Sequence, residues 1–180
     1  MNSPKRVWIT SDSHFGHENI MKYCSRPFKT VGEMNEEMIR RWNERVGKKD
    51  LVFHLGDFAM GSKKRVEEYA QRLNGQKSIV LGNHDDWPTR WWMEHGFVWA
   101  SRFPIIYQDF IILSHAQQFL DPNSTFFNVH GHVHVALPHR PNRQYMNVSV
   151  DVTDFYPVSL EYVLGEIKKE GGTPSKEERK

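Results

Sequence analysis

Two imidazoles separated by one residue, His132 and His134 in the stretch HGHVH, share a partner only if the chain brings them to one point. An extended segment projects residues i and i+2 to the same side, so the pair is predicted to face one site. Asp12 and His14 in SDSH repeat the spacing. Further polar residues follow apolar runs elsewhere: Asp57 in LGD, Asn83, His84 and Asp85 in LGNHD, and His115 in LSH. Imidazole and carboxylate ligands together suit divalent manganese, iron, nickel or zinc, and the lack of a thiolate cluster argues against a structural zinc site. Asp12, His14, Asp57, Asn83, His115, His132 and His134 are more ligands than one ion needs. Two ions about 3.5–4 Å apart, sharing a carboxylate, would use them, and such a pair serves phosphoryl-group hydrolysis.

The elements that must position these residues can be read from periodicity. Residues 6–10, 50–57 and 77–86 are predicted strands, each running into a polar or Gly-polar turn. Val31, Met34, Met38 and Trp42 recur at helical spacing behind a Thr30/Glu33 capping box, and Val66, Tyr69, Ala70 and Leu73 form a second apolar stripe. Pro88 and Gly96 bracket a short third helix. Alternating strands and helices imply parallel pairing, and the carboxyl ends of parallel strands converge on one crevice. Gly56, Gly82 and Gly131 supply the tight turns that such convergence needs.

The second half has a different texture. Residues 103–115 read as two strands about a turn at Gln108-Asp109, STFFNVHGHVH and QYMNVSVDV as further strands, and Ser159 as the cap of a closing helix. These strands are predicted to be mostly antiparallel. The whole is expected to be one domain, 1–170, with two sheets and helices outside, and a disordered polar tail, 171–180.

Composition narrows the class. With 38% hydrophobic and 26% charged residues, the 180-residue chain has enough apolar material for a core. A net charge of +2 gives no strong field for nucleic acid, which is therefore an unsupported partner. No apolar run reaches transmembrane length, the first residues lack a signal-peptide pattern, and Cys24 has no partner for a disulfide, so a cytoplasmic protein is expected. Cys24 reads as a small buried or half-buried residue, with nothing nearby to activate it. Trp91, Trp92 and Trp99 read as core or as a docking surface that could pair subunits, not as a base-stacking platform. The oligomeric state is open.

Taken in order, SDSH, LGD, LGNHD, LSH and HGHVH resemble the motifs of the calcineurin-like metallophosphoesterase superfamily: D-x-H, G-D, G-N-H-D/E, H and G-H-x-H. The resemblance spans residues 8–134. The surrounding text, SDSHFGHENI, RPF, HLGDF and DFYPVSLEYV, is similar to a small subgroup of bacteria and their phages. The resemblance implies a four-layer αββα sandwich with two mixed sheets. It implies that Asp12, His14 and His134 hold one ion, that Asn83, His115 and His132 hold the other, and that Asp57 bridges them. His84 would contact the phosphate and protonate the leaving oxygen, with Asp85 orienting it; capping the following turn is the alternative for Asp85. Hydroxide activated by the two ions, manganese first among the candidates, would attack phosphorus.

The remaining basic residues read more blandly. His54 is expected in the core or behind a ligand, His95 at a helix end, His130 turned away from its ligand neighbours, and His139 in solvent. Arg26 and Arg140 read as surface charges. His17 could contact substrate phosphate or simply start a helix. GDFAMGS lacks the Asp-Arg pair of the protein-phosphatase branch, and the chain is too short for a capping domain. A phosphodiesterase is therefore the first expectation, a phosphomonoesterase the second, a nuclease, to which the low net charge lends little support, the third, and a non-catalytic module of the same fold the last.

Overall fold

The computed structural model describes residues 5–140 and 142–169, so the expected tail lies outside the described residues. Five strands form one sheet in the order β4-β3-β2-β1-β9: Trp99–Ser101, Gln76–Val80, Leu51–His54, Val7–Thr10 and Val158–Ser159. The first four are parallel and β9 is antiparallel to β1. A second sheet has the order β5-β6-β7-β8: Ile105–Tyr107, Ile111–Ser114, Phe127–His130 and Tyr145–Asn147.

Alternation along β1 explains the layering. Trp8 points to one face, where it joins Met34, Met38 and Trp42 of α2 (Val31–Arg45), Val66 and Ala70 of α3 (Lys63–Arg72), and Trp91 and Trp92 of α4 (Thr89–Glu94). Ile9 points to the other, into a cluster with Leu113, Val129 and Met146 of the second sheet and with Leu160, Val163 and Ile167 of α5 (Leu160–Lys169). The chain is thus an α/β fold of two mixed sheets with helices packed against them.

Local signals act as expected. Thr30 Oγ1 accepts from the Glu33 N–H at 3.1 Å, while Glu33 reaches back to the N–H of Lys29, one residue further than a capping box requires. Ser159 caps α5 by accepting from the Tyr162 N–H. Gln108 and Asp109 both take positive φ, 50° and 66°, as a two-residue hairpin between β5 and β6 demands. Trp91 and Trp92 are buried in the core, whereas Trp99 on β4 is 39% exposed.

The antiparallel expectation for the second half is corrected. Within the second sheet β5 and β6 pair that way, but β6, β7 and β8 are parallel. Residues 115–126 and 131–144 connect them, long enough for the chain to cross back, whereas a hairpin returns at once. Short strands close in sequence look like a meander, but connection length decides direction. Two-residue β9 and three-residue β4 are too short to show in the pattern, while α1 (Glu18–Tyr23) begins directly after His17, as one reading of that residue expects.

Candidate metal centre

Every strand that carries a candidate ligand stops before it. β1 ends at Thr10, β2 at His54, β3 at Val80, β6 at Ser114 and β7 at His130. The candidate ligands occupy the turns beyond. Among the described residues ten non-glycines have positive φ, and five of them are Asp12 (59°), His14 (49°), Asp57 (55°), His132 (70°) and His134 (45°). Left-handed backbone costs a side-chain-bearing residue about 1 kcal/mol or more and persists where the surroundings enforce it, typically at functional sites. The extended i, i+2 geometry predicted for the two pairs is therefore wrong. Turns aim these side chains, and His132 and His134 enter different groups.

Close backbone approach holds the turns together. A Cβ on Gly82 would lie 2.2 Å from Asp57 Oδ1, and one on Gly131 would lie 2.3 Å from Asp12 Oδ2. Only glycine lets these strand ends meet.

Asp12, His14 and His134 form one group, with a ligand atom of each within 4.8 Å of the others. Asp12 is fully buried; its carboxylate accepts from the His132 N–H and from Ser149 Oγ. Asp57, His115 and His132 form the second group under the same limit. Asn83 joins it, with Oδ1 2.9 Å from His115 Nε2.

Proton positions follow from the partners. His115 Nδ1 lies 2.8 Å from the Leu55 carbonyl, which only accepts, so Nδ1 carries the hydrogen. In the neutral ring Nε2 is then a lone pair, with Asn83 Oδ1 at 2.9 Å, His132 Nδ1 at 3.0 Å and Asp57 Oδ2 at 3.5 Å around it. Donor atoms crowded in this way suit a shared cation. His14 Nε2 is buried without a hydrogen-bond partner, 3.4 Å from the same Asp57 oxygen. Asp57 Oδ1 meanwhile accepts from the His84 N–H at 2.9 Å. One oxygen is thus pinned by the β3 turn, and the other faces a nitrogen of each group. His14, His115 and the His84 N–H outweigh burial and hold the Asp57 carboxyl well below the usual range. The donor set, the crowding and the buried unpartnered nitrogen fit two divalent ions.

His134 Nδ1 lies 2.7 Å from Asp151 Oδ2, which fixes the ring and turns Nε2 toward Asp12. Burial works against charge on this imidazole, but Asp151, Cys24 and Asp12 together raise its pKa to about 10. An ion in the first group would displace that second proton. Asp151 in turn accepts from Arg26 Nε and Nη2, and Arg26 also donates to the carbonyls of Asp12 and Ser13. Arg26 is therefore a buried brace for the ligand turn, not a surface charge.

Asp151, Ser149 and Arg26 were missed as supports of the site. The available signal was polar Ser149 and Asp151 alternating with valines in VSVDV, a pattern that buries one of the two faces. Cys24 is half-buried as expected, yet it lies within 4.8 Å of His134 and Asp151, so its surroundings are polar.

His84 is exposed at the cavity edge, its ring centroid 5.3 Å from that of His14. Asp85 is buried. Its carboxylate accepts from the N–H groups of Gly82, Asp57 and Phe58, tying the β2 and β3 turns together. Burial chiefly pushes its pKa up to about 6; the Gly82 N–H opposes this and the Asp57 charge adds to it. His17 stands at the N-cap of α1 without a side-chain capping bond, and its Nδ1 is 3.4 Å from that of His14. It therefore both starts a helix and lines the site. A cavity of about 440 Å³ opens here, bounded by His14, His17, Asp57, Asn83, His84 and His132 among others.

His54 lies fully buried behind the ligands, with Nε2 2.7 Å from Ser13 Oγ. Burial lowers its pKa to about 3. The unfolded chain, with a value near 6.5, takes up the proton first as pH falls. The stabilisation is complete above that value and is lost toward 3, so lowering pH from 7 to 5 should remove roughly 2 kcal/mol. His54→Gln is expected to lack this component, which urea denaturation of chelated protein at the two pH values would measure.

The other histidines take simple places. His130 is buried, with Nδ1 on the Gly131 carbonyl, and His95 at the end of α4 bonds the Trp91 carbonyl. His139 is half-buried and stacked on Tyr162, not in solvent as expected. Arg140 lies 3.7 Å from Glu166.

Comparison with known proteins agrees with this geometry. The chain is 33% identical over 177 residues to an uncharacterized protein of Methanocaldococcus jannaschii, covering 93% of this chain and 94% of that one. It is 35% identical over 82 residues to the Gene 66 protein of Mycobacterium phage L5, covering 44% of this chain and 39% of the phage protein. The crystal structure of a protein of unknown function from Aquifex aeolicus shares the fold, with a TM-score of 0.68 and 23% identity over 90% of this chain and 99% of that one. A family model matches residues 5–165, and with it the chain belongs to the calcineurin-like phosphoesterase family, whose members bind divalent metals.

Proposed function

We propose that the protein is a phosphodiesterase working with two divalent ions, manganese foremost. The observation that carries this is Asp57 Oδ2, 3.4 Å from His14 Nε2 and 3.5 Å from His115 Nε2, one carboxylate oxygen between two ligand groups. Asp12, His14 and His134 would hold one ion, and Asn83, His115 and His132 the other. When bound, two such ions would supply an activated water near neutral pH and positive charge against the phosphoryl oxygens.

The chain's own residues do the rest. The His84 N–H bond to Asp57 Oδ1 anchors the His84 backbone beside the ligand groups, which supports its imidazole as the acid that protonates the departing oxygen. Asp85 acts as a positioning residue, through the Gly82 and Asp57 backbone it holds. His17 borders the substrate space.

Charge favours a diester. A monoester dianion would need a further cation near the ions. Arg26 is committed to Asp151, and burial together with His14 and His84 lowers the pKa of His17. Two divalent ions against Asp12 and Asp57 leave a small positive charge, which hydroxide and a diester monoanion cancel. We place the protein in the cytoplasm on its single cysteine, which leaves no internal disulfide to form.

Initial rates with manganese on bis(4-nitrophenyl) phosphate and on 4-nitrophenyl phosphate test the assignment. A diester preference of at least about tenfold is expected. A monoester preference would make the protein a phosphomonoesterase and would require His17 to be charged.

A further inference from the structure

The cavity beside the ligand groups has a second side that the reaction does not use. Apart from the ligands, His17 and His84, it is lined by Ile20, Tyr23, Cys24, Val133, Val135 and Ala136. All six are apolar or nearly so, and among the described residues no lysine or arginine joins them. Tyr23 is 71% exposed and Val135 56% exposed, unusual for large apolar side chains at the rim of a polar centre. The Tyr23 ring stands 6.3 Å from that of His17, and His17 stands 6.3 Å from His84, so the aromatic rim leads directly to the acid.

We infer that this wall selects the substrate: one ester group of the diester is a flat apolar or aromatic moiety, seated against Tyr23 and Val135. The inference rests on the phosphodiesterase assignment and narrows its substrate class. A polyanionic chain would find no cation there to meet its neighbouring phosphates, whereas a ring finds an aromatic edge and two valines. Tyr23 and Val135 are both more than half exposed, so truncating them should leave the fold intact.

Calorimetric titration of manganese-loaded protein with diphenyl phosphate and with dimethyl phosphate tests this, since both are monoanionic diesters. Diphenyl phosphate is expected to bind at least about tenfold more tightly. In Tyr23→Ala/Val135→Ser that ratio should shrink toward one, with the dimethyl phosphate affinity and the metal content unchanged. Equal affinities in the parent protein, no binding of diphenyl phosphate, or an unaltered ratio in the double variant would overturn the inference. Turnover of bis(4-nitrophenyl) phosphate reports separately on the reaction. Selective binding without turnover would uphold the wall and refute the hydrolase.

Discussion

Asp57→Asn is expected to lower diester turnover at least a thousandfold while leaving the chain folded. The amide retains an oxygen that can accept from the His84 N–H, as Asp57 Oδ1 does at 2.9 Å. Its NH2 group would then point where Oδ2 now stands, toward the nitrogens of His14 and His115. In the metal-free protein the variant loses the carboxylate charge that His14 and His115 favour, so some stability should be lost without unfolding the chain. With metal the loss is larger. The two groups lose their shared anion, and a cation would meet an N–H. Removing an electrostatic element of the reaction centre commonly costs 10²–10³ in rate, and loss of an ion adds to that. Initial rates beside a thermal melt of chelated protein separate the two effects. Retained turnover would show that Asp57 holds no shared position.

His84→Ala should act differently. The side chain is exposed and its backbone, not its ring, bonds Asp57, so metal binding should survive. Loss of a general acid costs typically about 10²–10⁴ in rate, most where the leaving oxygen is basic. Turnover of diphenyl phosphate is therefore expected to fall by that amount, and turnover of bis(4-nitrophenyl) phosphate by distinctly less. An equal fall on both substrates would assign His84 to phosphate binding and not to proton transfer.

Much of the site was legible because its chemistry depends on residue type at strand ends. Apolar runs ending in Gly-Asp, Gly-Asn-His and Gly-His announce both the turn and the ligand, and the seven candidate ligands are the residues that the two groups and Asn83 bring together. The path to them was not legible. Alternation assumes extended backbone, but Asp12, His14, His132 and His134 all lie in left-handed turns, which a one-dimensional pattern does not encode. The bracing residues were hidden for a related reason. Arg26 and Asp151 meet 125 positions apart, and nothing local marks an arginine as buried until its carboxylate is in place. Strand direction in the second sheet failed because pairing is a long-range choice governed by connection length.

The two-ion centre is tested most directly by loading the protein with manganese, counting metal per chain and recording its electron paramagnetic resonance spectrum. Two manganese ions per chain, with the spectrum of a magnetically coupled pair, are expected from a carboxylate oxygen within 3.5 Å of a nitrogen in each ligand group. One ion per chain, or two ions with the spectrum of isolated manganese, would contradict the shared site.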